Sequence, residues 1–440
     1  MSDVYVPDLR VGFYGDDFTG SVDVLLQFAR AGWSSRLFVT LPPAEVLADA
    51  ASGVDAVGVA GIARSLAPDD LDAEVRPVLE ALRDLGPAVV QYKACSTADS
   101  SPTVGSLGRV IDIAGDVFAR ATVPVAFAQP DFGRFTAFGH HFAAEGGTVH
   151  RLDRQPTMAN HPSTPMTESD LARHLSAQTA QPVGAVHLTE YTDAAGVAHA
   201  MTERSAAAVV LDALDDAHLE LVARASLELS GSGPVFAIGS GGFSTGFARA
   251  LGGRAGEVAL EVRPGGGPVL VVSGSRSPQT ARQIDHVRGL GWEVLSLPLG
   301  SSVGAPGAAV PGSESPAAVI LPAVREALAA GRSVVVSTAD AVAVDRATLV
   351  EEIAASLTEI VSAVAHDGLS SRVIVCGGDT SSRLVRAIGA ESLRLVANPF
   401  GNVVMCALSS DDPAIDGLEI VLKGGQVGPV DLFETVHALG

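Results

Sequence analysis

Three cysteines in 440 residues, Cys95, Cys376 and Cys406, are far apart and odd in number, so they exclude a disulfide framework and any paired metal-ligand spacing. Cys376 and Cys406 sit in apolar runs, the setting of buried, inert thiols. Basic residues are scarce: 29 Lys and Arg against 50 Asp and Glu leave a formal net charge of -21. That balance argues against a nucleic-acid surface, which needs a concentrated basic stripe. A local cluster of Arg, Lys and backbone N–H groups can still hold an anion against the overall field. No uncharged apolar stretch approaches membrane-spanning length, and residues 1–7 lack the basic region and apolar run of a secretory leader. Also missing are Gly-x-x-x-x-Gly-Lys-Ser/Thr, His-Glu-x-x-His and Cys-x-x-Cys. Gly12-Phe13-Tyr14-Gly15 is not the Gly-x-Gly-x-x-Gly of a dinucleotide fold. His140, His141, His150 and His161 have no metal-like spacing and read as loop or core residues. A cytoplasmic enzyme fits these absences.

What remains is an ordinary globular composition, 47% hydrophobic and 18% charged. A chain of 440 residues exceeds what one core serves, so two domains are expected. The first half alternates short apolar runs, at 11–15, 36–40, 56–60, 88–92, 123–128, 185–188, 207–211 and 235–238, with amphipathic stretches at 22–31 and 69–85. Pro77 interrupts the second of these stretches. The Gly-rich segment 252–268 marks the boundary, giving domains 1–252 and 268–440. Strands then fit 269–272, 293–297, 333–337, 373–376, 403–408 and 419–422, with a helix at 279–290 opened by Ser277-Pro278 and an exposed loop at 300–315. The fold class is α/β, each domain a largely parallel sheet with flanking helices.

Five strand ends carry chemistry. Asp16 and Asp17, in Gly15-Asp16-Asp17-Phe18-Thr19-Gly20, either take hydrogen bonds and a proton from a sugar hydroxyl or cap the following helix. Lys93, Ser96, Thr97 and Asp99 form an anion-and-hydroxyl set or an ordinary polar loop before a helix at 104–114, with Arg64 at the same edge. Ser273-Gly274-Ser275 precedes a helix N-terminus, a ready phosphate site. Gly377-Gly378-Asp379-Thr380 suits a phosphate tail, with Asp379 holding Mg²⁺ through water; the alternative is a turn with Asp379 or Thr380 as the cap. Lys423, ahead of Gly424 and Gly425, either neutralises a transferring phosphoryl group or faces solvent in a hairpin turn.

In this order, and over nearly the whole chain, the segments resemble the four-carbon acid sugar kinases, whose members include threonate, erythronate and oxo-tetronate kinases. The anchors are Asp16 to Gly20 with Asp23, Tyr92-Lys93 with Ser96-Thr97, Ser273 to Ser275, Gly377 to Thr380, and Lys423 to Gly425. The resemblance implies an N-terminal acid-sugar domain, a C-terminal nucleotide domain, and an acceptor held in the cleft between them. It implies ATP contacts at Ser273, Ser275, Gly377, Gly378, Asp379, Thr380, Gly424 and Gly425. Asp16, Asp17, Arg64, Lys93, Ser96 and Thr97 fall on the acceptor side. The reaction it implies is in-line attack on ATP by a primary hydroxyl. Asp17 orients or deprotonates that hydroxyl, Arg64 and Lys93 hold the acceptor's carboxylate, and Lys423 and Mg²⁺ steady the phosphates. A non-catalytic nucleotide or sugar-acid sensor on the same fold is the alternative. The expected partners are ATP and a small acid sugar, with no nucleic acid and no membrane, and a homodimer is compatible with the sequence.

Two segments depart from the family pattern. After Tyr-Lys the family runs close to Ile-Asp-Ser-Thr-Leu-Arg-Gly, whereas this chain has Ala94-Cys95-Ser96-Thr97-Ala98-Asp99-Ser100-Ser101 and lacks the arginine. An Asn-Pro-Val-like segment is replaced by His161-Pro162-Ser163-Thr164-Pro165-Met166. Both fall where the acceptor is selected and resemble the branch acting on oxidised or branched acid sugars such as 3-oxo-isoapionate.

Overall fold

The computed structural model describes residues 9–439 apart from 120–121, 162, 232, 255, 257, 259–260, 263–266, 300–314 and 339–345, and apart from the side chains of 346–350 and 379. The loop expected at 300–315 therefore lies almost wholly outside the described residues. The chain forms two compact units, Met1–Glu257 and Val258–Gly440. The break falls within the Gly-rich stretch 252–268. Among the described residues no helix is long and apolar enough to cross a membrane.

The strands of the first unit are β1 (Val11–Gly15), β2 (Ser35–Phe38), β3 (Ala56–Ala60), β4 (Val89–Lys93), β5 (Val123–Ala126), β6 (Arg134–Ala137), β7 (His140–Glu145), β8 (Thr148–Arg151), β9 (Val183–Val186), β10 (Ala208–Leu211) and β11 (Val235–Gly239). Eight of them pair in parallel, in the order β2-β3-β1-β4-β11-β5-β10-β9. Every residue of β1, β3, β4, β10 and β11 is buried. Parallel strands covered by helices on both faces need such continuous apolar runs rather than an alternating pattern. The chain leaves β1 through the Phe18–Arg30 helix towards β2 and β3, then crosses back over β1 through the Pro68–Asp84 helix to reach β4. Pro77 lies inside that helix without ending it. Strand order reverses at β1, so a crevice opens at the carboxyl ends of β3, β1 and β4.

A three-stranded antiparallel sheet, β6-β7-β8, joins this unit where the sequence reading placed no strands. Its two hairpin turns are Phe138-Gly139 (φ +51° and +74°) and Gly146-Gly147 (φ +58° and +81°). Both are two-residue turns with positive φ at each central position, which matches the strand twist. Gly146-Gly147 was the available signal. The helix expected at 104–114 instead starts at Leu107, capped by Ser106.

In the second unit the strands are β12 (Leu270–Ser273), β13 (Glu293–Ser296), β14 (Val334–Ser337), β15 (Arg372–Cys376), β16 (Ser392–Phe400), β17 (Val403–Ser409) and β18 (Glu419–Lys423). They lie in the order β13-β14-β12-β15-β18-β17-β16, parallel through β18 and antiparallel from there on. β16 escaped the sequence reading because its register against β17 shifts after Leu395 and again after Ala397. Such bulges, together with Pro399 near the strand end, erase the period-two pattern. Ser277 caps the Pro278–Gly289 helix as expected, accepting from the Gln279 N–H.

At the amino ends of β15 and β18, Arg372 and Glu419 form a buried ion pair at 2.7 Å, their side chains 7% and 2% exposed. Arg372 also donates to the Val436 carbonyl at 2.9 Å, fastening the Leu432–His437 helix to the sheet. Arg372→Met is expected to destabilise the second unit by about 3–5 kcal/mol, because the buried Glu419 carboxylate loses the guanidinium that offsets its charge. Calorimetry should show a lowered transition in the single variant and recovery in Arg372→Met/Glu419→Leu. A double variant as unstable as the single would contradict this account.

Candidate functional site

In the first unit the turn after β1 supplies Asp16 and Asp17. Asp17 caps the Phe18–Arg30 helix, its Oδ1 accepting from the Gly20 N–H at 2.7 Å. Arg64, on the turn after β3, reaches both acids. Its Nη2 and Nε donate to Asp16 Oδ1 and Oδ2 at 2.7 and 3.3 Å, and its Nη1 to Asp17 Oδ2 at 2.8 Å. The Arg64 N–H donates to the Asp16 carbonyl at 3.0 Å, so main chain and side chain hold the same geometry. Asp16 is 2% exposed. Burial pushes its carboxyl above the ordinary range, Arg64 pulls it down, and the charge of Asp17 adds to the push.

Lys93, the last residue of β4, is 3% exposed; its carbonyl accepts from the Asp16 N–H at 3.0 Å, while its ammonium has no hydrogen bond or ion pair among the described residues. A Cβ on Gly20 would fall 2.9 Å from Lys93 Nζ and 2.4 Å from Asp17 Oδ1, so the missing side chain lets ammonium and carboxylate come close to the helix end. Beyond Lys93, Thr97 Oγ1 donates to Asp99 Oδ1 at 2.5 Å, and the Ser96 carbonyl accepts from His141 Nε2 at 2.8 Å. Asp23 braces the unit, taking bonds from Gln27 and Gln129. His161 Nδ1 accepts from the Thr164 N–H, Arg151 pairs with Asp153, and Pro162 lies outside the described residues. A groove of about 940 Å³ lined by Arg83, Phe118 and Val235 opens near the amino ends of β4, β5 and β11. It sits at the opposite edge of the sheet and holds none of these groups.

In the second unit β12, β15 and β18 end side by side. The Gly274 N–H donates to the Cys376 carbonyl at 3.1 Å and the Gly377 N–H to the Lys423 carbonyl at 2.9 Å, zipping the three ends together. Lys423 is 2% exposed, not the solvent-facing hairpin lysine of the bland reading. Its Nζ donates to Thr280 Oγ1 at 3.0 Å, and no carboxylate forms an ion pair with it among the described residues. Thr280 Oγ1 in turn donates a hydrogen bond to the Gly425 carbonyl at 2.8 Å and lies 3.3 Å from Ser275 Oγ. A Cβ on Gly274 would fall 2.3 Å from Thr380 Oγ1, and one on Gly425 2.5 Å from Ser275 Oγ. The missing side chains of these glycines let the Thr380 and Ser275 hydroxyls pack against the turns at the strand ends.

Gly377, at φ +118° and ψ 128°, is the cap of the Gly378–Ala387 helix; neither Asp379 nor Thr380 is, because only a glycine adopts that backbone. The structure thus brings Ser273, Ser275, Gly377, Gly378, Thr380, Lys423, Gly424 and Gly425 to one edge. The side chain of Asp379 lies outside the described residues. Among the described residues no group of three or more His, Cys, Asp and Glu is placed to hold a metal ion. Thr280 was missed by sequence reasoning. Its one signal is its place three residues after Ser277, in the first turn of a helix that follows a Ser-Gly-Ser turn.

Burial drives the His141 imidazole down to about 4, its bond to Ser96 pulling the other way. The folded value is below the unfolded one, so the stabilisation is complete above pH 6.5 and is lost as pH falls towards 4. Across that window His141 should account for a loss of roughly 3 kcal/mol. Denaturant titrations at pH 7 and pH 4.5 on the wild type and His141→Gln should show a smaller acid loss in the variant. Equal losses would count against this assignment.

Residues 11–247 match the family of sugar-binding N-terminal domains, and residues 270–433 that of nucleotide-binding C-terminal domains. Over 98% of its length the chain is 34% identical to the 3-oxo-isoapionate kinase of Paraburkholderia graminis, covering 94% of that protein. It is 31% identical to the 3-oxo-tetronate kinase of Pseudomonas savastanoi pv. phaseolicola, over 96% of this chain and 95% of that one. In fold it is similar to a Haemophilus influenzae protein of the DUF1537 family, with a TM-score of 0.75 and 22% identity over 97% of this chain and 99% of that one.

Proposed function

We propose the reaction of a chain that belongs to the family built from a sugar-binding N-terminal domain and a nucleotide-binding C-terminal domain. It is a kinase that transfers a phosphoryl group from ATP to a hydroxyl of a small sugar acid. The observation that carries the site assignment is Lys423, an ammonium buried among Thr280, Ser275 and Gly425 with no carboxylate paired to it among the described residues. A buried cation is costly unless an anion meets it, and a cradle of glycines and hydroxyls fits a polyphosphate.

The first unit supplies the acceptor groups. Lys93, buried and unpaired among the described residues, takes the acceptor's carboxylate. Arg64 is held by Asp16 and Asp17 and sets their geometry. Asp17, 30% exposed where Asp16 is 2%, is the carboxylate that meets the attacking primary hydroxyl and takes its proton. Ser96 and Thr97 face the acceptor's remaining hydroxyls. In the second unit Lys423 and the N–H groups of Gly377, Gly378, Gly424 and Gly425 steady the phosphates, with Ser273, Ser275 and Thr380 shaping the cradle. Asp379, second in the helix that opens from this turn, is the residue that would hold Mg²⁺ through water. Bound there, the ion would supply charge neutralisation for the transferring group. The acceptor is of the tetronate, 3-oxo-tetronate or 3-oxo-isoapionate type, and the reaction belongs to the cytoplasm, in keeping with three free thiols.

A coupled ADP-release screen across tetronates, 3-oxo-tetronates and isoapionate derivatives should give acid-dependent turnover that requires Mg²⁺. Binding of ATP and acid without ADP release from any acceptor would identify a sensor instead. Asp17→Asn should lower kcat by about 10²–10⁴ while the KM for ATP holds. Lys423→Met should cost about 10²–10³ in kcat/KM for ATP in the same assay. Full turnover in either variant would remove the role given to that residue.

A further inference from the structure

The segment after β4, residues 94–101, is buried at Ala94, Ser96, Thr97, Ala98, Asp99 and Ser100, so its polar groups need partners inside the protein. At its centre Ala98 takes φ +52°, a left-handed conformation that a residue with a Cβ disfavours. Such a conformation persists only where the surroundings fix it. Within the loop, the Ala98 N–H donates to the Cys95 carbonyl at 3.0 Å and Ser100 Oγ to the Ala98 carbonyl at 3.0 Å. From outside it, His174 bonds Ser100 Oγ at 2.9 Å, and His141 of β7 reaches the main chain itself, 2.8 Å from the Ser96 carbonyl. A carbonyl only accepts, so His141 Nε2 carries the proton, and Nδ1 is left to accept from the Thr136 hydroxyl at 2.9 Å. His141 and Thr136 are both 0% exposed, which leaves the ring no alternative partner in water.

We propose that His141 is a positioning residue for acceptor selection: through the Ser96 carbonyl it forces the turn at Ala98 and so presents Thr97 and Asp99 to the sugar acid. The small antiparallel sheet then acts as the platform behind the acceptor loop. This rests on the reading of that loop as acceptor-binding. The same loop sets Cys95 Sγ 2.9 Å from Thr97 Oγ1, so the thiol reports the loop's order without any turnover.

His141→Leu keeps an apolar side chain in place and removes the donor, whereas His141→Gln returns an N–H where Nε2 stood. In His141→Leu the KM for the sugar acid should rise roughly tenfold with the KM for ATP unchanged, and His141→Gln should recover most of it. Labelling with iodoacetamide, mapped by mass spectrometry, should speed up at Cys95 in His141→Leu and return towards the wild-type rate in His141→Gln. Cys376 and Cys406, both fully buried, serve as internal references. If His141→Leu unfolds and all three thiols label, His141→Met, with the references protected, takes its place as the variant lacking the donor, and Thr136→Val, which frees Nδ1, should raise the acceptor KM and the Cys95 rate in the same direction. Unchanged acceptor KM and unchanged Cys95 labelling in a folded variant lacking the donor overturn the proposal. A wild type that turns over no sugar acid would instead strike the functional reading, and the Cys95 rates would still decide whether His141 holds the loop.

Discussion

The guanidinium of Arg64 lies across two neighbouring carboxylates at the carboxyl end of β1, and the geometry of the strand-end turns around it is built on that contact. Two adjacent acids, one of them almost fully buried, repel each other and resist ionisation unless a cation sits between them. Arg64 fits because its planar fork bonds Asp16 through two nitrogens and still has a third for Asp17. With its main-chain N–H on the Asp16 carbonyl, the same residue ties the turn after β3 to the turn after β1. Its charge is thereby committed inside the protein, and Lys93 remains as the cation with no partner among the described residues.

Both units use one device. A parallel sheet sends all its carboxyl ends to one edge, so the last residue of a strand is held by the ladder while its side chain meets whatever the turns enclose. Lys93 closes β4 and Lys423 closes β18. Each is a buried ammonium without an ion-pair partner among the described residues, and each stands near glycines whose missing Cβ lets neighbouring polar side chains pack close. Strand pairing fixes both long side chains at the root, and Thr280 also holds Lys423 at the tip. Little reorganisation is then needed when an anion arrives.

The sequence spoke clearly where one physical demand governed a whole segment. The strands buried on both faces read directly because nothing but apolar residues survives there, and Ser277-Pro278 announced its helix because capping is local. The antiparallel sheet β6–β8 did not, because its short strands mix polar and apolar residues and its histidines do structural work that only the fold reveals. The pairing of Arg64 with Asp16 joins residues 48 apart, and that of Lys423 with Thr280 joins residues 143 apart. No local pattern encodes such contacts. The strand ends bearing Asp16, Lys93, Gly377 and Lys423 were legible as strand ends, whereas the partners that set their geometry were not.

β18 lies inside its sheet, with β15 on one side and β17 on the other, yet it is the last strand of the chain. During synthesis the first unit has all its strands once residue 239 has emerged and can close its sheet early. The second unit cannot do so: until residues 419–423 arrive, β15 and β17 each present an open edge, the kind of surface that recruits foreign strands. The strand that seals this gap also carries Lys423. A growing chain therefore lacks the buried Lys423 ammonium while its second sheet is incomplete, and closure of the core and arrival of that charge are one event.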